Sequence, residues 1–227
     1  MTSDFDRDDH APDSGGRPAT VWPCPPATLD REPTGWLQAA MERLVALHTH
    51  PGDPVLLLTP PPLTGPDPHR HAGNDDPADD WIWAVARLGR PARVWTPPAS
   101  PLPSASESGS GPALGPEADR AALVVTVVAP TRLDWIAHVP WSRLLAPGGT
   151  LAVITRSDSI AGWLIDPTHD LTDATGRHGL ALLDRFVLLE VPIDQLDRTP
   201  APLPRGAAAR RVHSDLLLFT GLRSERR

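Results

Sequence analysis

AALVVTVVAPTRLDWIAHVPWSRLLAPGGTLAVITR, residues 121–156, is the stretch on which the fold turns. Ala121 to Val128 is an unbroken run of apolar and β-branched residues, the pattern of a strand buried on both faces. After a Pro, the apolar positions Leu133, Ile136, Ala137, Trp141, Leu144 and Leu145 fit one helix face, with a kink expected at Pro140. Pro147-Gly148-Gly149 should end that helix, because Gly readily takes the left-handed conformation of a C-cap. Thr150 to Thr155 then reads as a second buried strand. Strand, crossover helix and parallel strand make a βαβ unit, whose crossover should be right-handed.

Working outward, Asp166 to Gly179 fits a helix with Asp166 as cap, Pro167 in the first turn and Gly179 after its end. Leu180 to Val191 and Arg211 to Leu222 are strands with no helix between them, which implies an antiparallel pair closing an otherwise parallel sheet. On the N-terminal side, Thr34 can cap a helix to His48 in which Trp36, Leu37, Ala40, Met41, Leu44 and Leu47 recur at helical spacing. His50-Pro51-Gly52-Asp53-Pro54 stops it, and Val55 to Thr59 follows as a short apolar strand. Pro60-Pro61-Pro62-Leu63-Thr64-Gly65 can be neither helix nor sheet interior. Pro77 to Leu88 is a second helix, with Asp79 and Asp80 complementing its dipole, and Ala92 to Trp95 a short strand. The fold class is therefore α/β: a three-layer, Rossmann-like sheet, mostly parallel, with a C-terminal antiparallel strand.

Composition bounds the organisation. The 29 prolines mark long irregular segments. Residues 1–20 are expected to form a disordered tail, 21–222 a single domain with a disordered Pro/Ser/Gly insertion at 96–117, and 223–227 a second tail. Within the domain, Val21 to Pro33 reads as an extended lead-in from which Trp22 packs onto the core. Every basic residue is Arg, and the net charge of −7 opposes general wrapping of DNA, though a local Arg patch leaves nucleic acid open. Cys24 stands alone, so neither a disulfide framework nor a Cys-based zinc site forms within one chain. No signal peptide and no apolar run near ~18 residues is present, which makes a cytoplasmic protein with no membrane partner the expectation.

A βαβ-repeating sheet ending in an antiparallel pair resembles the class I S-adenosyl-L-methionine (SAM)-dependent methyltransferases. Arg143-Leu144-Leu145-Ala146-Pro147-Gly148-Gly149-Thr150-Leu151 is similar to the helix-turn-strand phrase before that family's fifth strand. The first helix, Pro51-Gly52-Asp53 and the strand after it resemble the opening of the amino-type DNA methyltransferases. His213 to Phe219 resembles their last strand, and the likeness spans about Thr34 to Leu222. It implies SAM as cofactor, with Thr59, Pro60 and Gly65 on the cofactor loop and Val128 and Pro130 at the end of the fourth strand.

At those positions the chain departs from the family. Thr59 stands where the family has Asp, and Pro60, Pro61 and Pro62 have no N–H groups to offer a cofactor. Trp95-Thr96-Pro97 lacks the acid that holds ribose hydroxyls. The catalytic register reads Val128-Ala129-Pro130-Thr131 where the family has Asp or Asn, Pro-Pro and an aromatic residue, so no catalytic residue is assigned. Each lost contact should cost about 1–3 kcal/mol of ligand or transition-state binding.

Other residues invite chemistry and have plainer explanations. His48, His50, His69 and His71 could ligate a metal but lack a spaced acidic partner, and Asp75, Asp76, Asp79 and Asp80 lack a calcium-loop pattern, so no metal is expected. Trp81, Trp83, Trp135 and Trp141 could stack on a base, though such spacing more often serves a core. Arg210 and Arg211 read as edge-strand charges. His213, Ser214 and Asp215 carry the letters of a hydrolase triad but alternate faces of a strand, which rejects it.

Three readings follow. The first is a methyltransferase-like protein without catalysis, acting as a binding or regulatory module with a protein partner, such as an active methyltransferase homologue. The second is an active SAM-dependent methyltransferase on nucleic acid or a small molecule, since transfer to a strong nucleophile needs mainly orientation. The third, a binder of another nucleotide, ranks last for want of a phosphate-gripping Gly pattern.

Overall fold

The computed structural model describes residues 20–24, 35–61, 77–97, 120–156, 159–160, 163–196 and 212–222. The expected tails before Thr20 and after 222, the insertion beyond Pro97, Thr34, Gly65, His69, His71, Asp75, Asp76, Arg210 and Arg211 lie outside the described residues, as do the side chains of Asp79 and Asp80.

Strand β4 (Ala121–Val128) sits inside a seven-stranded sheet, and its burial on both faces follows from its apolar run. It pairs in parallel with β2 (Val55–Leu58) on one side and β5 (Leu145–Arg156) on the other. Beyond β2 lies β3 (Ala92–Trp95), again parallel. Beyond β5 the direction reverses: β9 (His213–Gly221) runs antiparallel to both β5 and β8 (Leu180–Leu189). The chain thus builds outward from β2 to β3, then restarts at β4 on the opposite side of β2. A ligand crevice of an α/β sheet forms at such a switch, outside the carboxyl ends of the strands. This is the mostly parallel, Rossmann-like, methyltransferase-like sheet with a C-terminal antiparallel strand expected from the sequence, except that the reversed strand β9 lies between β5 and β8 and not at an edge.

Alternation along the strands divides the core in two. Val55, Leu57, Leu123, Val125, Ala152, Ile154, Leu216 and Leu218 pack under α1 (Gly35–His48) and α2 (Pro77–Arg87). Leu56, Leu58, Val124, Val128, Leu151, Val153, Leu217 and Phe219 face the other way, onto a 3-10 turn (Asp134–His138), α3 (Trp141–Leu144) and α4 (Thr168–Gly176). Trp36, Leu37, Ala40, Met41 and Leu44 are buried as their spacing predicts, whereas Leu47 is exposed.

The crossover between β4 and β5 differs from the expected single kinked helix. It is a five-residue 3-10 turn followed by four residues of α-helix, separated by Val139 and Pro140. Pro140 lacks an N–H and disfavours helical backbone at Val139, which is extended at φ −75°, ψ 129°. The apolar spacing was satisfied nonetheless, since Ile136, Trp141 and Leu144 are all buried. Pro147-Gly148-Gly149 is likewise not a helix end: β5 already begins at Leu145 opposite Ala121, and the pair resumes at Leu123 and Thr150. The three residues form a bulge in which Gly148 has φ +76°. A Cβ on Gly149 would lie 2.9 Å from the Ala146 carbonyl and 3.0 Å from that of Ala121.

The lead-in forms a strand, β1 (Thr20–Pro23), parallel to the outer edge of β8. Trp22 is buried, with its ring 4.4 Å from that of Phe186 and the Arg43 guanidinium 4.6 Å above it. A two-stranded hairpin, β6 (Ser159–Ile160) and β7 (Trp163–Leu164), follows β5 and had no signal in the sequence reading. No described helix is long and apolar enough to cross a membrane.

Candidate functional site

The switch point between β2 and β4 is bounded by three strand ends. After β2 come Thr59, Pro60 and Pro61; after β3, Thr96 and Pro97; after β4, Ala129 to Leu133. The Thr59 amide donates to the Trp95 carbonyl at 3.0 Å, and the Thr59 and Thr96 hydroxyls share a short hydrogen bond. The ends of β2 and β3 are therefore tied to each other. Pro61, Pro97 and Pro130 are buried, and Pro60 is half-buried.

Arg132 spans the crevice. Its amide closes a turn onto the Ala129 carbonyl at 2.9 Å, and its carbonyl accepts from the Trp135 indole at 3.1 Å. From that fixed backbone the guanidinium Nη2 donates to the Pro61 carbonyl at 3.2 Å, joining the loop after β4 to the loop after β2. The sequence reading did not single out Arg132; its neighbours Val128, Ala129, Pro130 and Thr131 carried the motif comparison, and nothing local marks the reach to Pro61.

Of the residues assigned to a cofactor, Thr59, Pro60 and Pro130 do gather at the strand ends. Val128 ends its strand there but turns its side chain into the apolar cluster. The described residues of the loop after β2 are Thr59, Pro60 and Pro61, and the rest of that loop lies outside the described residues. Pro60 and Pro61 have no N–H, the Pro61 carbonyl already accepts from Arg132, and residues 92–97 hold no carboxylate for ribose. Beneath the crevice, Thr126 is wholly buried and its Oγ1 has no hydrogen-bond partner.

A second polar group lies at the same end of the sheet, on the face under α4. Arg185 of β8 donates through Nε and Nη2 to Oδ1 of Asp215 at 3.3 and 3.2 Å, and through Nη1 to Oδ2 of Asp166 at 3.2 Å. Asp166 also receives the amide and hydroxyl of Thr168 at the start of α4, but the helix cap is Pro167, one residue later than the sequence places it, and the helix ends at Gly176 instead of reaching Gly179. Burial pushes the Asp166 carboxyl up, but the Thr168 hydrogen bonds and the Arg185 charge outweigh it, so its pKa lies below the usual value. Burial likewise works against the Arg185 charge, and Asp215 and Asp166 together hold its pKa above the ordinary one. Ser214, on the opposite face, donates to Glu190 at 2.6 Å. Ser214 and Asp215 thus serve different partners on different faces, as strand alternation requires.

The remaining candidates resolve into packing. Trp81 and Trp141 are buried, with the Trp141 indole donating to the Ile136 carbonyl at 3.2 Å. Trp135 is half-buried, and Trp83 is 75% exposed on α2. His50 lies against Asp53, and among the described residues no group of three His, Cys, Asp or Glu could hold a metal. Cys24 is buried, and desolvation lifts its thiol to about 11 against the opposing charge of Arg43.

No family model matches the chain, and no curated protein matches it. Solved structures of similar shape include methyltransferases of diverse kinds and a [4+2]-cyclase. One is a SAM-dependent methyltransferase from Geobacter sulfurreducens in complex with S-adenosyl-L-homocysteine, at 12% identity and TM-score 0.41, covering 86% of this chain and 95% of that one. Another is a chain of the Haloferax volcanii complex between the Trm112 methyltransferase activator and a methyltransferase, at 13% identity and TM-score 0.44, covering 87% and 99%. A third is a 16S rRNA adenine methyltransferase from Catenulisporales acidiphilia with cosubstrate SAM, at 11% identity and TM-score 0.38, covering 87% and 95%. The strand order and the reversed hairpin of this chain define its methyltransferase-like fold without them.

Proposed function

We propose that this chain is a methyltransferase-fold protein without methyl transfer, working as a binding or regulatory module alongside an active methyltransferase. The observation that carries the reading is the clasp across the switch point. Where SAM needs backbone donors and a counter-charge for its sulfonium, the chain has imino acids and the Arg132 guanidinium held at the Pro61 carbonyl. The tie between Thr59 and Thr96 supports it, because the hydroxyl standing in the place of a carboxylate is already engaged.

Thermal unfolding of the purified chain tests this. A cofactor bound with micromolar affinity and supplied at roughly a hundredfold excess adds about 2.7 kcal/mol. In a chain of this size that amounts to a midpoint rise of ~5–10 °C. The expected result is no rise with SAM or S-adenosyl-L-homocysteine, and no radioactive methyl group on protein, RNA, DNA or small-molecule acceptors. A rise of that size, or transfer to any acceptor, refutes the reading in favour of an active enzyme. The partner half is checked by mixing the chain with a methyltransferase from the same cell and measuring complex formation and the partner's turnover.

A further inference from the structure

We propose that Arg132 is the anion-binding group of a ligand site at the switch point, and that the ligand is a small nucleoside phosphate. The proposal rests on the preceding reading that the chain is a binding module without methyl transfer, and it names a ligand for the switch point. A guanidinium has five N–H donors, and Arg132 uses Nη2 on a neutral carbonyl. Among the described residues no carboxylate pairs with it. Residues 55–61, 92–97 and 121–133, the three strands and the turns that frame the crevice, contain no Asp or Glu. In a chain of net charge −7, a half-buried cation that no described carboxylate pairs with selects for anions.

Two features narrow the anion to a phosphate ester carrying a planar ring. Arg matches the oxygens of phosphate with paired donors, and its outer edge can do so while Nη2 keeps Pro61. Trp95 and Trp135 are half-buried and pack against the same apolar cluster as Leu58 and Val128, which puts partly exposed aromatic rings after β4 and at the end of β3. The Trp135 indole bonds the Arg132 carbonyl, so ring and guanidinium are held by one turn.

The test is calorimetric titration of the full chain with ADP, adenosine, pyrophosphate and S-adenosyl-L-homocysteine, in wild type, R132Q and R132K. ADP should bind wild type, roughly ten- to hundredfold more weakly in R132Q, with R132K intermediate. Adenosine and pyrophosphate should each bind more weakly than ADP. The proposal is overturned if ADP does not bind wild type, if R132Q binds it equally, or if adenosine or pyrophosphate alone matches it. Should R132Q fail to fold, displacement of ADP from wild type by pyrophosphate supports the site, and lack of displacement overturns it. Tight S-adenosyl-L-homocysteine binding would refute the preceding reading and is scored separately from the ADP result.

Discussion

Replacing Thr126 with Val should stabilise this protein, against the general run of core substitutions. Thr126 is fully buried in β4, its register neighbours on the same face being Leu58 of β2 and Val153 of β5. Its Oγ1 is without a partner, so folding strips water from a hydroxyl and gives nothing back. A buried, unsatisfied hydroxyl costs about 1–3 kcal/mol. Val has the same shape with a methyl group in place of the hydroxyl, and burying one more such group contributes about 0.8 kcal/mol. Allowing for an imperfect fit, the gain should be about 1–2 kcal/mol, a rise in Tm of ~2–8 °C for a domain of this size. Reversible urea unfolding and calorimetry read it directly, and T126S serves as the contrast because it keeps the hydroxyl and removes the methyl. If T126V unfolds at a lower temperature than wild type, the hydroxyl has a partner, and the reasoning fails.

Four further outcomes are expected. W22A should cost about 3–5 kcal/mol, because Trp22 anchors β1 against Phe186 and Arg43, and the Cys24 thiol, raised to about 11 in the fold, should turn from inert to reactive toward alkylation at neutral pH. G149A should unfold or severely destabilise the chain, since its Cβ would press on the Ala146 and Ala121 carbonyls of the bulge; circular dichroism checks this. The Asp166 pKa is depressed in the fold, so its contribution is fully present above the unfolded carboxylate value near 3.8 and is lost as pH falls through the folded value; R185M should flatten that acid limb in pH-dependent unfolding. Burial lowers the pKa of His48, so folding favours its neutral form and stability should decline as pH falls below 6.5; H48Q should remove that slope.

The parts of this fold that were legible in the sequence are those where one local rule decides. The β-branched run of β4 and the apolar periodicity of α1 could be satisfied in only one way. Asp166 was legible as marking the start of α4, though the cap itself falls on Pro167. Between residues 133 and 145 two rules competed. Helical spacing placed the right residues inward, while Pro140 broke the helix that spacing implied, and the chain met both demands with a 3-10 turn and a short helix. The bulge at Pro147 to Gly149 was misread as a helix cap because a left-handed Gly serves both purposes. β1 was legible as an extended segment with a buried Trp but not as a parallel partner of β8, since the pairing spans more than 160 residues. The same distance hid the site. Arg132 and Pro61 are 71 positions apart, and Arg185 and Asp215 are 30 apart, with no local pattern that links them.

On the proposed reading, charge, more than the loss of backbone donors, would separate this crevice from one that holds SAM. SAM carries a sulfonium cation, and a cation seated about 6 Å from a guanidinium at an effective dielectric near 20 is disfavoured by about 3 kcal/mol. An anion in the same place gains as much, so one side chain would shift the preference between the two ligand classes by about 6 kcal/mol. Prolines alone could be accommodated, because a cofactor that loses two N–H contacts still has its adenine and ribose to hold it. An unpaired cation cannot be accommodated in this way, because the described strand ends supply no carboxylate to neutralise it. On the proposed reading, the sheet would keep the position in which α/β proteins bind ligands while reversing the sign of what that position attracts. That reversal predicts a dependence a packing defect would not produce: affinity for ADP should fall with added salt in wild type, and the slope should flatten in R132Q.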